Sequence, residues 1–198
     1  MILTTKSQIW RSSPEKVLAA RQDWCELQSE TLHLLIRALY RSAQWCDDPQ
    51  NFGELAGLLS RPEYLGIHPE IIHASLQGHL PGRLPEPDFV TFFDRAANFP
   101  WQSHALWFFS QMLRWHDAEY STEAEEAARM TYRPDIYRAA LGPMGAKLPG
   151  ASSKVEGALT ETQLLPALNG PLEMGPDGFF DGRIFDPAQI KAYLSVLP

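Results

Sequence analysis

Apolar residues recur at helical spacing through the first two-thirds of the chain, and helix breakers separate the runs. A short strand is expected at Met1-Ile2-Leu3-Thr4-Thr5. Ser13-Pro14-Glu15 then has the form of a helix start: a capping hydroxyl, proline in the first turn and an acid where the helix dipole favours it. Val17, Ala20, Trp24 and Leu27 follow as its apolar face. A second helix is predicted from Ser29-Glu30, with Leu32, Leu35, Ile36, Leu39, Ala43 and Cys46 on one stripe and Asp47-Asp48-Pro49 as its stop. A third spans Pro49 to Leu59, and a fourth starts at His68-Pro69-Glu70 and runs to Gly78. Recurrent prolines from Leu80 to Pro87 rule out regular helix or inner strand there, and a short extended piece is expected at Phe89–Phe93.

The strongest apolar helix is predicted at Trp101–Trp115, with Ala105, Phe108, Met112 and Trp115 facing inward. Further helices are expected at Thr122–Met130 and Pro134–Leu141. From Gly142 glycine and proline become frequent and periodicity fades. The expected organisation is therefore a helical part, residues 1–141, and an extended wrapping tail, residues 142–198, which ends in a short helix from Pro187 to about Leu194.

Composition narrows the function classes. The chain has 198 residues, of which 44% are hydrophobic and 21% charged, as in a folded globular domain. Its net charge of −7 argues against a general nucleic-acid or anionic-membrane binder, since either partner calls for a basic face. A small anion needs only one cation and a few N–H donors, and stays allowed. Cys25 and Cys46 lie in helical patterns and are either a disulfide between neighbouring helices or, more commonly for such a pair, two small core residues. No basic region followed by a long apolar stretch opens the sequence, so either the protein is cytosolic or the sequence starts inside a longer chain.

Candidate chemistry is sparse. His68, His73 and His79 lack the i, i+4 spacing of a helical metal pair, and His104 and His116 fall at opposite ends of one predicted helix. All six histidines are read as surface or structural groups, and no metal or cofactor is expected. Gly-x-Ser-x-Gly, phosphate-loop and dinucleotide motifs are lacking, and the acidic run Glu123-Ala124-Glu125-Glu126 belongs on a solvated helix, so the chain is read as a non-enzyme. Phe99-Pro100-Trp101 and Trp107-Phe108-Phe109 are core aromatics or the lining of a groove; Trp101 is open between the two. The segment Trp10-Arg11-Ser12-Ser13-Pro14-Glu15-Lys16 is the one candidate site. Unpaired N–H groups at a helix start, the dipole and a nearby lysine together favour an anion. Such starts are common, and physics alone favours an ordinary capped helix.

Five strings in order carry a resemblance. They are Ile9-Trp10-Arg11-Ser12-Ser13-Pro14-Glu15-Lys16, Trp45-Cys46-Asp47-Asp48-Pro49-Gln50-Asn51, Asn98-Phe99-Pro100-Trp101-Gln102, Arg133-Pro134-Asp135-Ile136-Tyr137 and Phe179-Phe180-Asp181-Gly182-Arg183-Ile184-Phe185-Asp186-Pro187. Together they resemble the nitrate/bicarbonate-binding proteins of ABC transporters and their cytosolic nitrate-sensing relatives, in their C-terminal half only. The resemblance implies an α/β fold, mostly helical in this segment, as part of a two-lobed periplasmic-binding-protein-like type II architecture. It implies a ligand such as nitrate, nitrite or bicarbonate, with Lys16 as a ligand-binding residue, and an N-terminal half that has no counterpart here. Ser12-Ser13 stand where relatives often show Asn or His. The implied partner is an ABC permease, in the periplasm or cell envelope, or alternatively a regulatory protein if the chain is a cytoplasmic nitrate/nitrite sensor of nitrate assimilation. Loss of a partner half is expected to leave Ile2, Leu3, Ile9 and Trp10 uncovered.

Overall fold

The computed structural model describes residues 2–86 and 89–197. Met1 of the expected first strand and Pro87 of the proline-rich stretch fall outside that range. The chain forms two compact units: one runs to Ile36 and resumes at Phe99, and the other is Arg37–Asn98. The boundary at Ile36 falls inside a helix, whereas the change at Gly142 is a change of local structure within the first unit.

The first unit opens with a single helical turn, α1 (Lys6–Ile9), preceded by extended residues 2–5 that pair with no strand among the described residues. The helix expected from Ser13 does not form. Residues 13–21 are irregular, and α2 covers only Gln22–Leu27. The reason lies in burial: Val17 and Leu18 are exposed, so the apolar stripe has nothing to pack on, and a short helix without a buried face is marginal in water. α3 (Ser29–Asp47) matches its predicted span, begins in this unit and ends in the other. It buries Leu32, Ile36 and Tyr40, at i, i+4 and i+8, and leaves Leu35 and Leu39 exposed.

After Asn98 come α6 (Gln102–Arg114), α7 (Thr122–Thr131), α8 (Pro134–Leu141) and α9 (Ile190–Ser195); α4 (Phe52–Leu59) and α5 (Pro69–Leu76) belong to the second unit. Ser121 caps α7, its hydroxyl accepting from the Ala124 N–H at 3.0 Å, and Pro134 opens α8 from the first turn. α6 packs on α7 and α9 around Leu106, Phe109, Phe185 and Ile190. Here the sequence pointed to the wrong face. Phe108, Met112 and Trp115 are 42%, 45% and 64% exposed, and only Ala105 of the expected stripe is buried. α6 is apolar on two sides, and its buried side was chosen by residues far along the chain, Phe185 and Ile190, which one helix's periodicity cannot report.

Between Lys147 and Met174 four strands of two or three residues pair off as two separate antiparallel ladders: β1 (Leu148–Pro149) with β3 (Ala167–Leu168), and β2 (Gln163–Leu165) with β4 (Leu172–Met174). The N-terminal stretch joins this region through an isolated antiparallel bridge, Trp10 to Phe179, and Glu156 bridges Phe185 in the same way.

The second unit holds the end of α3, a 3-10 turn at Pro49–Asn51, α4 (Phe52–Leu59) and α5 (Pro69–Leu76), with α4 packed on α5. Leu55, Ala56 and Ile72 are buried here, and Tyr40 meets Phe93 edge to face at 5.0 Å. Phe89–Phe93, expected to be extended, is bent instead. The Asp47 carboxylate, at the last residue of α3, accepts the backbone N–H groups of Phe92, Phe93 and Asp94 at 2.7, 2.8 and 2.8 Å. Bonds from amides to an ionised carboxylate are stronger than neutral ones, so Asp47 pins this turn. The next two residues, Arg95 and Ala96, hold left-handed φ values of 57° and 58°, a conformation that side chains disfavour and surrounding bonds must enforce. Asp47→Ala is expected to destabilise this unit by about 1–3 kcal/mol through the stranded amides. Urea unfolding of the variant, with hydrogen exchange at residues 92–94, checks it. No helix among the described residues is long and apolar enough to cross a membrane.

Candidate anion-binding segment and the buried charge cluster

The candidate site begins at the Trp10 bridge. Phe180 donates its N–H to the Ile9 carbonyl at 2.8 Å, and Arg11 donates to the Gly178 carbonyl at 3.1 Å. These bonds bring Trp10 onto Phe179, with ring centroids 4.8 Å apart, and against Trp107 at 4.8 Å and His104 at 5.4 Å. Trp10 is consequently 3% exposed, whereas Ile2, Leu3 and Ile9 are 44%, 82% and 46% exposed. Three of the four side chains expected to lie uncovered do so. Trp10 does not, because its ring packs into the cluster of His104, Trp107 and Phe179.

A turn follows, with the Ser13 N–H donating to the Trp10 carbonyl at 3.1 Å. Lys6 reaches across it to the Ser13 carbonyl at 3.1 Å and to the Glu15 carboxylate at 2.8 Å. Glu15 is thereby engaged away from Lys16. Lys16 itself is exposed and makes no hydrogen bond or ion pair among the described residues. It is not in a helical turn, since residues 13–21 are irregular. The helix-dipole contribution expected at this position therefore falls away, and what remains is a solvated ammonium on an irregular segment.

The structure brings together a second group that sequence reasoning missed. Ser103 and His104 in the first turn of α6, Lys154 and Glu156 on the extended stretch before β2, and Asp177 after β4 form one buried cluster. Glu156 and Asp177 are fully buried carboxylates, and the Lys154 side chain is 15% exposed. Lys154 Nζ donates to Glu156 Oε2 and, at 2.6 Å, to Asp177 Oδ2. Ser103 Oγ donates to Glu156 Oε1 at 2.6 Å, and the Leu159 N–H donates to Asp177 Oδ1 at 2.9 Å. All four carboxylate oxygens are thus matched, as burial of charge requires. His104 Nε2 stands 3.4 Å from Glu156 Oε1, within ion-pair range but without the alignment of a hydrogen bond. Burial pushes the Glu156 carboxyl up; the neighbouring His104 imidazole and Lys154 ammonium outweigh it and hold the group below the ordinary carboxylate range. The one legible signal was Lys154-Val155-Glu156, which in an extended chain puts both charges on one side.

Arg138 of α8 closes the same region. Its guanidinium donates to the carbonyls of Pro149, Gly150 and Ala151 and to Ser152 Oγ at 2.5–3.1 Å, and sits 5.1 Å over the Phe99 ring. Trp101 is buried against Phe99, centroids 4.7 Å apart, as a core residue. Cys25 and Cys46 are both free thiols of intermediate burial. Among the described residues no three of the His, Cys, Asp and Glu side chains are grouped as metal ligands.

Comparisons with known proteins agree on one group. The NMT1-like family matches residues 1–60. The nitrate/nitrite binding protein NrtA of Synechococcus elongatus is 29% identical over 197 residues, covering 96% of this chain and 40% of the relative. The bicarbonate transport ATP-binding protein CmpC of the same organism is 29% identical over 191 residues, covering 96% of this chain and 26% of the relative. The crystal structure of the periplasmic nitrate-binding protein NrtA from Synechocystis PCC 6803 superposes with a TM-score of 0.79 at 25% identity, covering 97% of this chain and 47% of that one. The chain therefore spans less than half the length of the proteins it matches while matching them over nearly all of its own. By sequence and by fold, it is similar over nearly its whole length to nitrate- and bicarbonate-transport proteins of this group.

Proposed function

We propose that the chain is part of an oxyanion solute-binding protein of the nitrate/nitrite type that serves an ABC transporter at the cell envelope, and that it does no bond chemistry. The observation that carries this reading is the match of 96% of the chain to a nitrate/nitrite binding protein, with the same course of the backbone as a periplasmic nitrate-binding protein. Lys16 is the residue assigned to the anion. Its support is its place in the Pro14-Glu15-Lys16 string, its exposure and the diversion of Glu15 to Lys6. A planar oxyanion would be held by this ammonium together with N–H donors from the remainder of the binding protein, in a cleft that excludes water and strengthens charge-assisted bonds. Lobe closure over the anion is the state a permease would read.

In the 198-residue chain alone, a single solvated ammonium gains little against hydration and salt, so nitrate binding is expected to be weaker than about millimolar. In the complete gene product, Lys16→Ala is expected to weaken oxyanion binding by about 10- to 100-fold, the loss of one charged hydrogen bond. Lys16→Arg, which keeps the charge, should lose less. Calorimetric titration of both variants with nitrate, nitrite and bicarbonate tests the assignment. Unchanged affinity of Lys16→Ala for all three removes Lys16 from the site.

A further inference from the structure

The buried charge cluster lies where the backbone of three segments meets. Glu156 exchanges both backbone hydrogen bonds with Phe185, each at 2.9 Å, and the Asp177 N–H donates to the Leu159 carbonyl at 3.1 Å. Gly178, the next residue, receives the Arg11 N–H, and Phe180 donates to Ile9. The two residues whose carboxylates share the Lys154 ammonium are therefore also the residues whose backbones anchor the 177–185 segment, and that segment holds the stretch that leads into Lys16. His104, which faces Glu156, also forms one wall around Trp10. We propose that Lys154, Glu156, Asp177 and His104 form an acid-sensitive lock, whose opening releases residues 177–185 and with them the Ile9–Arg11 stretch. This holds whatever ligand the protein takes.

The physical case rests on what surrounds the carboxylates. The ionisable groups facing Glu156 are His104 from α6 and Lys154 from its own segment; Asp177 meets Lys154 from the returning segment. A proton on Glu156 removes one of the two carboxylate charges that hold Lys154, leaving Asp177 as its one charged partner in this pair, and sets a neutral acid against the ammonium in a dry site. The packing of α6, by contrast, is apolar at Leu106 and Phe109 and does not depend on that proton. The sign follows from linkage. A carboxyl held low in the folded state adds stability above its ordinary value, 4.5 for glutamate, and that stability is lost as pH falls toward and through its folded value.

Amide hydrogen exchange of the whole chain, followed by NMR from neutral pH to pH about 3 across this acid-titration window, tests the lock. Expected protection factors at Arg11, Leu159, Asp177, Phe180 and Phe185 fall together, by about tenfold per pH unit below the ordinary glutamate range, while Phe109 and Ser110 in α6 stay protected. In Glu156→Gln, which keeps Lys154 paired with Asp177, that dependence should flatten. In Lys154→Met the onset should move to higher pH. Should Lys154→Met not fold, Glu156→Gln decides alone. The proposal is overturned if the five amides keep their protection until α6 loses its own, or if Glu156→Gln follows the wild-type curve.

Discussion

Lys154→Met is expected to cost about 3–5 kcal/mol of folding stability at neutral pH, the range for breaking a buried ion pair by removing one partner. The magnitude follows from what is left behind. Glu156 and Asp177 are both fully buried, and each would lose the donor to one oxygen. Ser103 and the Leu159 N–H satisfy only the other oxygens, and His104 is not aligned to replace the ammonium. Two like charges would then share a dry site. Glu156→Gln should cost less, because Lys154 keeps Asp177 and the amide can still accept from Ser103. The ordering distinguishes a charge effect from a packing effect, since methionine approximates the lysine stem while glutamine preserves volume. Urea unfolding of both variants by circular dichroism gives the comparison. Equal costs for the two would show that the pair contributes as volume and not as charge.

Phe185→Ala is expected to cost about 3–5 kcal/mol, the transfer of a buried ring plus the cavity it leaves. Phe185 is fully buried among Leu106, Phe109 and Ile190 and meets Tyr193 edge to face at 5.0 Å. Phe185→Leu should retain most of that. The Phe185 backbone is bonded to Glu156 in both directions, so the double variant with Glu156→Gln should depart from additivity. A sum of the single costs within about 0.3–0.5 kcal/mol would mean that lock and core are independent.

The helices that the sequence made legible are those whose ends carry their own signals. α3, α7 and α8 start or stop at Ser29, Asp47, Ser121 and Pro134, and the capping hydroxyl of Ser121 and the proline of α8 act locally. Where tertiary contact decides, the signal failed. The stripe after Ser13 has every local mark of a helix and stays irregular because no surface receives Val17 and Leu18. The buried side of α6 is set by Phe185 and Ile190, about eighty residues on. The charge cluster was hidden for the same reason. Its members are spread from Ser103 to Asp177, and only Lys154-Val155-Glu156 is local. Lys16 is proposed from the resemblance. The helix start that would supply its electrostatics is not formed, and its assignment rests on the resemblance.

We propose that this chain belongs to a protein that binds a small planar oxyanion. The most direct measurement is calorimetric titration of the wild-type complete gene product with nitrate, with nitrite and bicarbonate in parallel and sulfate as a non-planar control. The expected result is saturable one-site binding of at least one planar anion and weaker binding of sulfate. No saturable heat with any of the three planar anions, in a protein shown folded by its melting transition, would contradict it.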